Sequence, residues 1–315
     1  MGGKILVTGS SGQIGSELTG ALISRFGSSN VIATDIQSPV RNDCRTASLD
    51  VTDRDAVFSF IKKEKVSTVI HLAAILSARG EKEPALAFNV NVNGMRNILD
   101  ASVSADVGLL FFPSTIGVFG AGTPRENVPV ETITRPSTMY GITKLLCEQL
   151  GEYYSAKYEL DVRGMRLPGI VSYRAPPGGG TTDYSIEMLR AAAEGRGYSC
   201  FLKEDCRLPM MYMPDAIDSI MKMLEAPEDR LKHRTCFNVM AFSFSPSELE
   251  QEIRRLRPEF RVTYTPDERQ LIADTWPRSL DTSAAAEEWG FAPSYTLTAM
   301  VDDMLKHLTP VSRRQ

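Results

Sequence analysis

One tyrosine and one lysine in the sequence have a spacing that suits proton transfer. Tyr140 and Lys144 lie four residues apart in a segment with helical spacing of apolar residues, so their side chains share one face of the predicted helix. A phenol with a pKa of about 10 is a poor base at neutral pH, and a nearby ammonium stabilises the phenolate and lowers that pKa. The pair therefore predicts a general acid/base, although two unrelated surface side chains would give the same isolated string.

A glycine-rich turn near the amino terminus predicts a phosphate site. A short apolar run at 5–7 is typical of a strand, helical spacing follows, and Gly9, Gly12 and Gly15 lie at the junction. The first glycine permits a sharp reversal, the second lets the backbone approach a pyrophosphate, and the third lets the helix pack on its strand. The helix amino terminus would then present free N–H groups to the phosphates. We predict a dinucleotide site at this turn.

A carboxylate after the second predicted strand favours NAD as the dinucleotide. The strand at 31–35 ends in Asp35, about where a βαβ unit places the acid that accepts the adenosine ribose hydroxyls. Such a carboxylate repels a 2′-phosphate, and the first arginine after it is Arg41. The sequence therefore predicts NAD over NADP, with a capping or turn aspartate as the alternative.

Predicted strands and helices alternate from residue 4 to about residue 170. The predicted strands lie at 5–7, 31–35, 47–51, 67–74, 109–115 and 162–171, and the predicted helices include 53–63, 83–103 and the segment that opens at Tyr140. This alternation predicts an α/β fold, a Rossmann-type doubly wound parallel sheet.

The chain changes character after residue 170. A polar loop rich in glycine and proline occupies 174–184, at the sheet edge where open α/β folds bind ligands, so we expect a substrate loop rather than a plain linker. Farther on, Ser245 and Glu248 form a predicted capping box that begins a helix. The expected division is an NAD-binding Rossmann domain at 1–170, with sheet-completing segments from about 205–260, and a smaller α/β carboxyl-terminal substrate lobe, mainly 171–315.

Single polar residues raise further possibilities. His71, at a predicted strand end, could be a base or ligand, but a histidine held by backbone contacts suits the position better. Asparagines are dense in the helix predicted at 83–103, and their low helix propensity suggests that at least one makes a specific hydrogen bond. The five cysteines and three histidines are scattered without the short-spaced ligands typical of zinc, so we expect no metal.

Composition limits the partners. The 315 residues carry a formal net charge of −4 and no long basic cluster, which disfavours nucleic acid or an anionic membrane as partner and favours a small molecule. No apolar run is long enough to span a bilayer, and the first predicted strand leaves no room for a presequence. We therefore expect a soluble, intracellular protein.

The order of these motifs resembles that of the extended short-chain dehydrogenase/reductase family. In that family the tyrosine is the acid/base, the lysine also binds the nicotinamide ribose, and a hydroxyl at the position of Thr115 orients the substrate oxygen. Threonine stands where many relatives have serine, and the neighbouring Ser114 could share the task. The resemblance implies the following cofactor-binding residues: Gly9, Ser11, Gly12, Gln13, Ile14, Gly15, Asp35, Asp50, Val51, Leu72, Ala73, Ala74, Asn91, Tyr140, Lys144, Leu167 and Ile170.

Two octets resemble signatures of one group within that family, the short-chain L-threonine 3-dehydrogenases. They are residues 177–184 and 274–281. The resemblance implies oxidation of the C3 hydroxyl of L-threonine with NAD, a loop that closes over the substrate, and a homodimer. It also implies a mitochondrial matrix location if the chain is eukaryotic, and otherwise a cytoplasmic one. The implied substrate-binding residues are Ser77, Thr115, Tyr140, Thr182 and Trp276.

Two other functions remain open from the sequence. A nucleotide-sugar epimerase or dehydratase shares the pattern up to Lys144, but it would need a larger lobe with arginines for a diphosphate. A non-catalytic NAD-sensing module shares the glycine turn, but such modules commonly lose the tyrosine or the lysine, and this chain has both.

Overall fold

The computed structural model describes residues 3–174 and 177–309. The strands are β1 (Lys4–Thr8), β2 (Val31–Asp35), β3 (Arg45–Ser48), β4 (Val66–His71), β5 (Leu109–Thr115), β6 (Asp161–Leu167), β7 (Gly169–Val171), β8 (Tyr198–Cys200), β9 (Leu208–Tyr212), β10 (Phe237–Asn238), β11 (Phe242–Phe244) and β12 (Val262–Tyr264). The helices are α1 (Gln13–Phe26), α2 (Arg54–Glu64), α3 (Ser77–Lys82), α4 (Pro84–Phe88), α5 (Gly94–Ser104), α6 (Met139–Tyr158), α7 (Tyr184–Ala193), α8 (Met213–Glu225), α9 (Pro246–Leu256), α10 (Glu268–Ala273), α11 (Ser283–Trp289) and α12 (Leu297–Leu308).

A seven-stranded parallel sheet in the order β10-β6-β5-β4-β1-β2-β3 forms the centre of the molecule. Alternate side chains of its strands enter two different apolar cores. Ile5 and Val7 of β1 pack with helices α1, α8 and α11, whereas Leu6 between them packs with α2, α5 and α6. Helices therefore cover both faces of the sheet, and the predicted Rossmann-type α/β fold is confirmed.

The strand predicted at 162–171 is in fact two strands in two sheets. Pro168 stands between β6 and β7 and cannot donate a ladder hydrogen bond. β7 leaves the main sheet and pairs in parallel with β9, which pairs antiparallel with β11. The short strand β10 takes the edge beside β6 instead.

The helix predicted at 83–103 is also interrupted. A π-helical turn at Asn89–Asn93 separates α4 from α5, and Pro84 occupies the first turn of α4. The Asn93 amide donates to the Asn89 side chain at 2.9 Å, so two of the asparagines bond each other within this turn.

A third apolar core lies in the carboxyl-terminal part of the chain. It contains the buried rings of Tyr184, Tyr212 and Phe244 together with residues of α9 and α12. The expected capping box is present at the start of α9, where Ser245 and Glu248 bond each other's backbone N–H groups. Across the described residues, no helix is long and apolar enough to cross a membrane.

Candidate active site

The turn between β1 and α1 leaves no room for side chains at two of its glycines. Gly9 has a φ of +66°, and a Cβ there would lie 2.6 Å from the backbone nitrogen of Ala73. A Cβ at Gly15 would overlap the carbonyl oxygen of Gly9, whereas one at Gly12 would lie 3.2 Å from that oxygen. The first turn of α1, residues 13–16, is uncharged. A close, uncharged backbone surface at a helix amino terminus fits the pyrophosphate of a dinucleotide.

The carboxylate of Asp35 lies against this turn. Its Oδ2 accepts a hydrogen bond from the Ser11 backbone N–H at 3.0 Å, and its Oδ1 accepts one from the Ile36 N–H at 2.8 Å. These bonds hold the carboxylate at the carboxyl end of β2, which is the position that suits the ribose hydroxyls of NAD.

Asp50 and Val51 are not lining residues of the cavity beside the glycine turn. The Asp50 carboxylate accepts bonds from the backbone N–H and the hydroxyl of Thr52, at 2.8 and 2.7 Å, and so closes the turn before α2. Val51 is buried, and its carbonyl accepts from the Asn97 amide at 2.9 Å. Both residues support the sheet edge from the side of α2 and α5.

Asn91 also acts behind the cavity rather than in its wall. Its side chain accepts from the Ile75 N–H at 2.7 Å, and its amide donates to the Ile75 carbonyl at 3.1 Å and to the Thr143 hydroxyl at 3.0 Å. These bonds connect the segment after β4 to α6. The expectation that one asparagine makes a specific hydrogen bond is confirmed by Asn91 and by Asn97.

β4 ends beneath the glycine turn. His71 is buried, and its Nδ1 lies 2.8 Å from the Thr8 hydroxyl. The prediction that backbone contacts hold this ring is therefore wrong, because the partner is a side chain. Burial, with the positive charge of Lys144, lowers the pKa of His71 to about 3, which makes the ring neutral and unsuited to act as a base at neutral pH. Leu72 and Ala74 then line the cavity, whereas the intervening Ala73 contributes backbone close to Gly9.

The start of α6 packs tightly on the segment that follows β5. Thr138 caps the helix by accepting from the Gly141 N–H at 3.1 Å. A Cβ at Gly141 would overlap the carbonyl oxygen of Gly117, so only glycine permits this approach. The Thr115 hydroxyl accepts from the Gly117 N–H at 3.1 Å, which fixes it at the end of β5. Residues 140 and 115 are thereby brought together.

Tyr140, Lys144 and Thr115 all line one cavity. Burial raises the pKa of Tyr140 to about 12, and a hydrogen bond with Thr115 lowers it only in part. Burial lowers the pKa of the Lys144 ammonium, while the nearby Cys147 and Glu148 raise it. The chain by itself therefore does not lower the pKa of Tyr140 as the sequence suggested, because the loss of water outweighs its favourable contacts.

The cavity has a volume of about 220 Å³ and lies between the glycine turn, the carboxyl ends of β4, β5 and β6, and the carboxyl-terminal lobe. Most of the residues expected to bind cofactor or substrate line it. They are Gly9, Gly12, Gln13, Ile14, Gly15, Leu72, Ala74, Ser77, Thr115, Tyr140, Lys144, Leu167, Ile170, Thr182 and Trp276. Ser11 and Asp35 lie at the turn, outside the cavity lining.

The loop before α7 is held by its own aspartate. Asp183 Oδ2 accepts from the backbone N–H groups of Gly179 and Gly180, both at 2.8 Å, and burial raises the pKa of this carboxyl. Thr181 is buried, with its hydroxyl 3.4 Å from that of Ser77. Thr182 lies beside them in the cavity wall. The first residues of the expected loop include positions 175–176, which lie outside the described residues.

Trp276 closes the cavity from the carboxyl-terminal lobe. Its ring is 4% exposed, and its indole N–H has no hydrogen-bond partner within the described part of the chain. A buried donor without a partner costs free energy, so this N–H is suited to a ligand acceptor.

The sequence analysis missed several residues of the cavity wall, all of them close in sequence to predicted ones. They are Leu76, Pro113, Ile116, Pro168, Gly169, Gly180, Thr181 and Asp183. Ser114 also lies in the wall, but its hydroxyl donates to Glu148 and is not available to share the role of Thr115. Three of these residues lie in the octet at 177–184, so their closeness in sequence to Thr182 could have identified them.

Metal-binding groups are not gathered at the site. Within residues 3–174 and 177–309, no three His, Cys, Asp or Glu side chains lie close enough to hold a metal ion.

Known proteins are similar to this chain over nearly its whole length. Residues 5–239 match the NAD dependent epimerase/dehydratase family. An uncharacterized epimerase/dehydratase of Staphylococcus haemolyticus is 42% identical over 308 residues, 96% of each chain. The holo form of a GalE-like L-threonine dehydrogenase from Cupriavidus necator is 43% identical, with a TM-score of 0.95 over 97% of this chain and 100% of that chain. The L-threonine dehydrogenase of Clostridium difficile is 46% identical, with a TM-score of 0.94 over 97% of each chain. The chain therefore belongs to the NAD dependent epimerase/dehydratase family, and NAD is its cofactor.

Proposed function

We propose that this enzyme oxidises the C3 hydroxyl of L-threonine with NAD to give 2-amino-3-oxobutanoate and NADH. The two solved relatives described above are L-threonine dehydrogenases, and they match this chain at 43% and 46% identity. The two octets at 177–184 and 274–281 support the same substrate, because each contributes a residue to the cavity wall, Thr182 and Trp276.

Tyr140 is the proposed proton acceptor. Its phenolate removes the proton of the C3 hydroxyl, and the Thr115 hydroxyl bonds the same substrate oxygen and holds it beside Tyr140. Bound oxidised NAD would supply the hydride acceptor and a positive charge. Lys144 lines the same cavity as Tyr140, and we propose that its ammonium and the bound cofactor together oppose the effect of burial on the pKa of Tyr140.

The observation that carries the substrate assignment is that Ser77, Thr182 and Trp276 line one cavity with Tyr140 and Thr115. The indole N–H of Trp276 has no partner within the described residues, and we propose that the amino-acid carboxylate accepts its hydrogen bond.

The substrate assignment is tested by NADH formation with L-threonine, L-serine and L-allo-threonine, and by chromatography of the products from a uridine diphosphate sugar, because an epimerase or dehydratase regenerates its NAD and releases no net NADH. We expect the highest kcat/KM with L-threonine. Turnover of the sugar with none of the amino acids would instead favour the nucleotide-sugar epimerase or dehydratase alternative, and NAD binding without any turnover would favour the sensing module.

A tryptophan pair gives the matched test of the pocket. Trp276→Phe keeps an aromatic side chain but loses the N–H together with the pyrrole part of the indole, so KM for L-threonine should rise by about 10- to 100-fold, the usual value of a hydrogen bond to a charged group. Trp289, the other tryptophan, also has a buried N–H without a partner in the described residues, but it lies outside this cavity. Trp289→Phe should leave KM unchanged, and equal effects of the two variants would contradict the proposed carboxylate contact.

The division of the chain, its assembly and its compartment stay predictions. The proposed NAD domain spans 1–170 with sheet-completing segments from about 205–260, within which β10 falls, and the substrate lobe is mainly 171–315. A homodimer is proposed from the family resemblance, to be tested by light scattering. The mitochondrial or cytoplasmic location depends on the source of the chain.

A further inference from the structure

Arg41 lies on the connection between β2 and β3, on the cofactor side of the sheet. Its Nη1 donates to the backbone carbonyl of Ser16, in the first turn of α1, at 3.2 Å. α1 begins at the glycine turn, where Ser11 also binds the carboxylate of Asp35. Both the guanidinium and the carboxylate are therefore held against the same turn-and-helix unit, on the side of the adenosine ribose.

Arg41 already forms an ion pair with the neighbouring Asp43. Asp43 accepts from Arg41 Nε at 2.9 Å with one carboxylate oxygen and from Nη2 at 2.7 Å with the other. This is the bidentate geometry in which a guanidinium also binds phosphate. The Arg41 side chain is 18% exposed and that of Asp43 is 48% exposed, so the arginine is mostly buried while its carboxylate partner is open to solvent.

We propose that Asp43 is a second specificity-determining residue for NAD, in addition to Asp35. Asp35 repels the 2′-phosphate of NADP, and Asp43 keeps the two phosphate-binding donors of Arg41 engaged. The chain thus contains a closed 2′-phosphate site. Removing Asp43 frees Nε and Nη2, while the bond from Nη1 to Ser16 still holds the guanidinium beside α1.

A second arginine pair close in sequence provides the control. Arg45 Nη2 lies 2.6 Å from Glu64 Oε1, so Glu64→Gln frees an arginine with the same change in charge as Asp43→Asn. Arg45 is the first residue of β3 and pairs with Ile32 near the start of β2, at the amino edge of the sheet. That edge lies opposite the carboxyl ends of the strands, where the glycine turn and Asp35 are found.

The test measures dissociation constants, without substrate or turnover. Adenosine 2′,5′-bisphosphate and 5′-AMP differ only in the 2′-phosphate, and calorimetry gives the ratio of their constants for each variant. The variants are Asp35→Ser, Asp43→Asn and the two combined. Each single variant changes the preference for the bisphosphate over 5′-AMP by some factor. In the combined variant this preference should exceed the product of the two factors by about tenfold, because the 2′-phosphate then replaces Asp43 as the partner of Arg41.

Two further variants complete the test. Adding Arg41→Leu to the combined variant should remove the gain, and Glu64→Gln with Asp35→Ser should show no excess over Asp35→Ser alone. If the single effects simply multiply, or if the gain survives Arg41→Leu, the proposal is wrong. The 5′-AMP constant reports whether the site is intact, and Asp43→Ser replaces Asp43→Asn if that variant unfolds. The outcome is independent of the threonine assignment because no substrate is present.

Discussion

Lys144 and Glu148 are buried one turn apart on α6, but they differ greatly in how many hydrogen-bond and ion-pair partners the chain provides. Lys144 lies in the cavity wall, and its ammonium makes no hydrogen bond or close ion pair with the described residues, although Cys147 and Glu148 are near enough to raise its pKa. Glu148, four residues later, is equally buried but accepts from Arg166 at 3.0 and 2.8 Å and from the Ser114 hydroxyl. Arg166 also donates to the carbonyl of Val130 at 2.8 Å.

This difference separates the site from the scaffold that supports it. Burying a charge without a partner is costly, so folding alone disfavours the arrangement around Lys144. The Glu148 cluster connects α6 to the ends of β5 and β6, which carry Ser114 and Arg166, and its polar atoms are paired within the chain. Polar groups that the chain leaves open are the ones that a ligand can satisfy.

The largest expected effect is in the cavity site rather than in the supporting Glu148 cluster, and it concerns Tyr140. Tyr140→Phe removes only the phenol oxygen, so the fold and NAD binding should persist while kcat for threonine oxidation falls by about two to four orders of magnitude. Tyr153 lies on the same helix and is 50% exposed, and Tyr153→Phe is the matched control, with kcat unchanged. Stopped-flow or steady-state NADH formation measures both. Near-normal kcat in Tyr140→Phe would remove it from the proton-transfer step.

Variants of Glu148 and Lys144 should change stability and activity in opposite ways. Glu148→Gln leaves the Arg166 charge buried and unpaired, so the free energy of unfolding should fall by about 3–5 kcal/mol. Lys144→Met replaces an unpaired buried ammonium with an apolar chain of similar length, so stability should hold or rise while kcat falls by about 100-fold or more. Urea unfolding and NADH formation on the same samples give both quantities.

The comparison fails if the two variants behave alike. A large loss of stability in Lys144→Met would show that its ammonium has a structural partner, and an unchanged stability in Glu148→Gln would show that the ion pair contributes nothing.

Local rules predicted the elements of the cofactor half well. Gly9 has a positive φ, a side chain at Gly15 would overlap Gly9, and Asp35 ends a strand, so their roles in the fold follow from local geometry that a sequence displays. The same holds for the capping box at Ser245, which needs only residues 245–248. The fold class was predictable for this reason, whereas cavity residues such as Leu167, Thr182 and Trp276 were expected only from the family resemblance.

Long-range partners were not predictable in the same way. The sequence shows that Ser114 and Thr115 are both hydroxyl residues, but only the packing of α6 on β5 shows that Glu148 takes up Ser114. The split of the strand at Pro168 and the partner of His71 likewise depend on residues far away in sequence, Met210 opposite Gly169 and Thr8 opposite His71. The raised pKa of Tyr140 is a consequence of burial, which spacing alone does not reveal.

The smallest expected effect concerns His71. Like Glu148, this buried side chain has a partner within the chain, because its Nδ1 lies beside the Thr8 hydroxyl. Its pKa is lowered to about 3, mainly by burial and further by Lys144, whereas an unfolded histidine titrates near 6.5. The unfolded chain therefore binds a proton below about pH 6.5 that the folded chain refuses, so His71 makes the protein less stable as the pH falls from 6.5 towards 3. His71→Gln removes this dependence, so the excess stability of the wild type over the variant should shrink by about 1 kcal/mol between pH 6.5 and pH 5.5. Urea unfolding of both proteins across that range measures the gap. Parallel curves would mean that His71 titrates alike in both states and that burial does not keep it neutral.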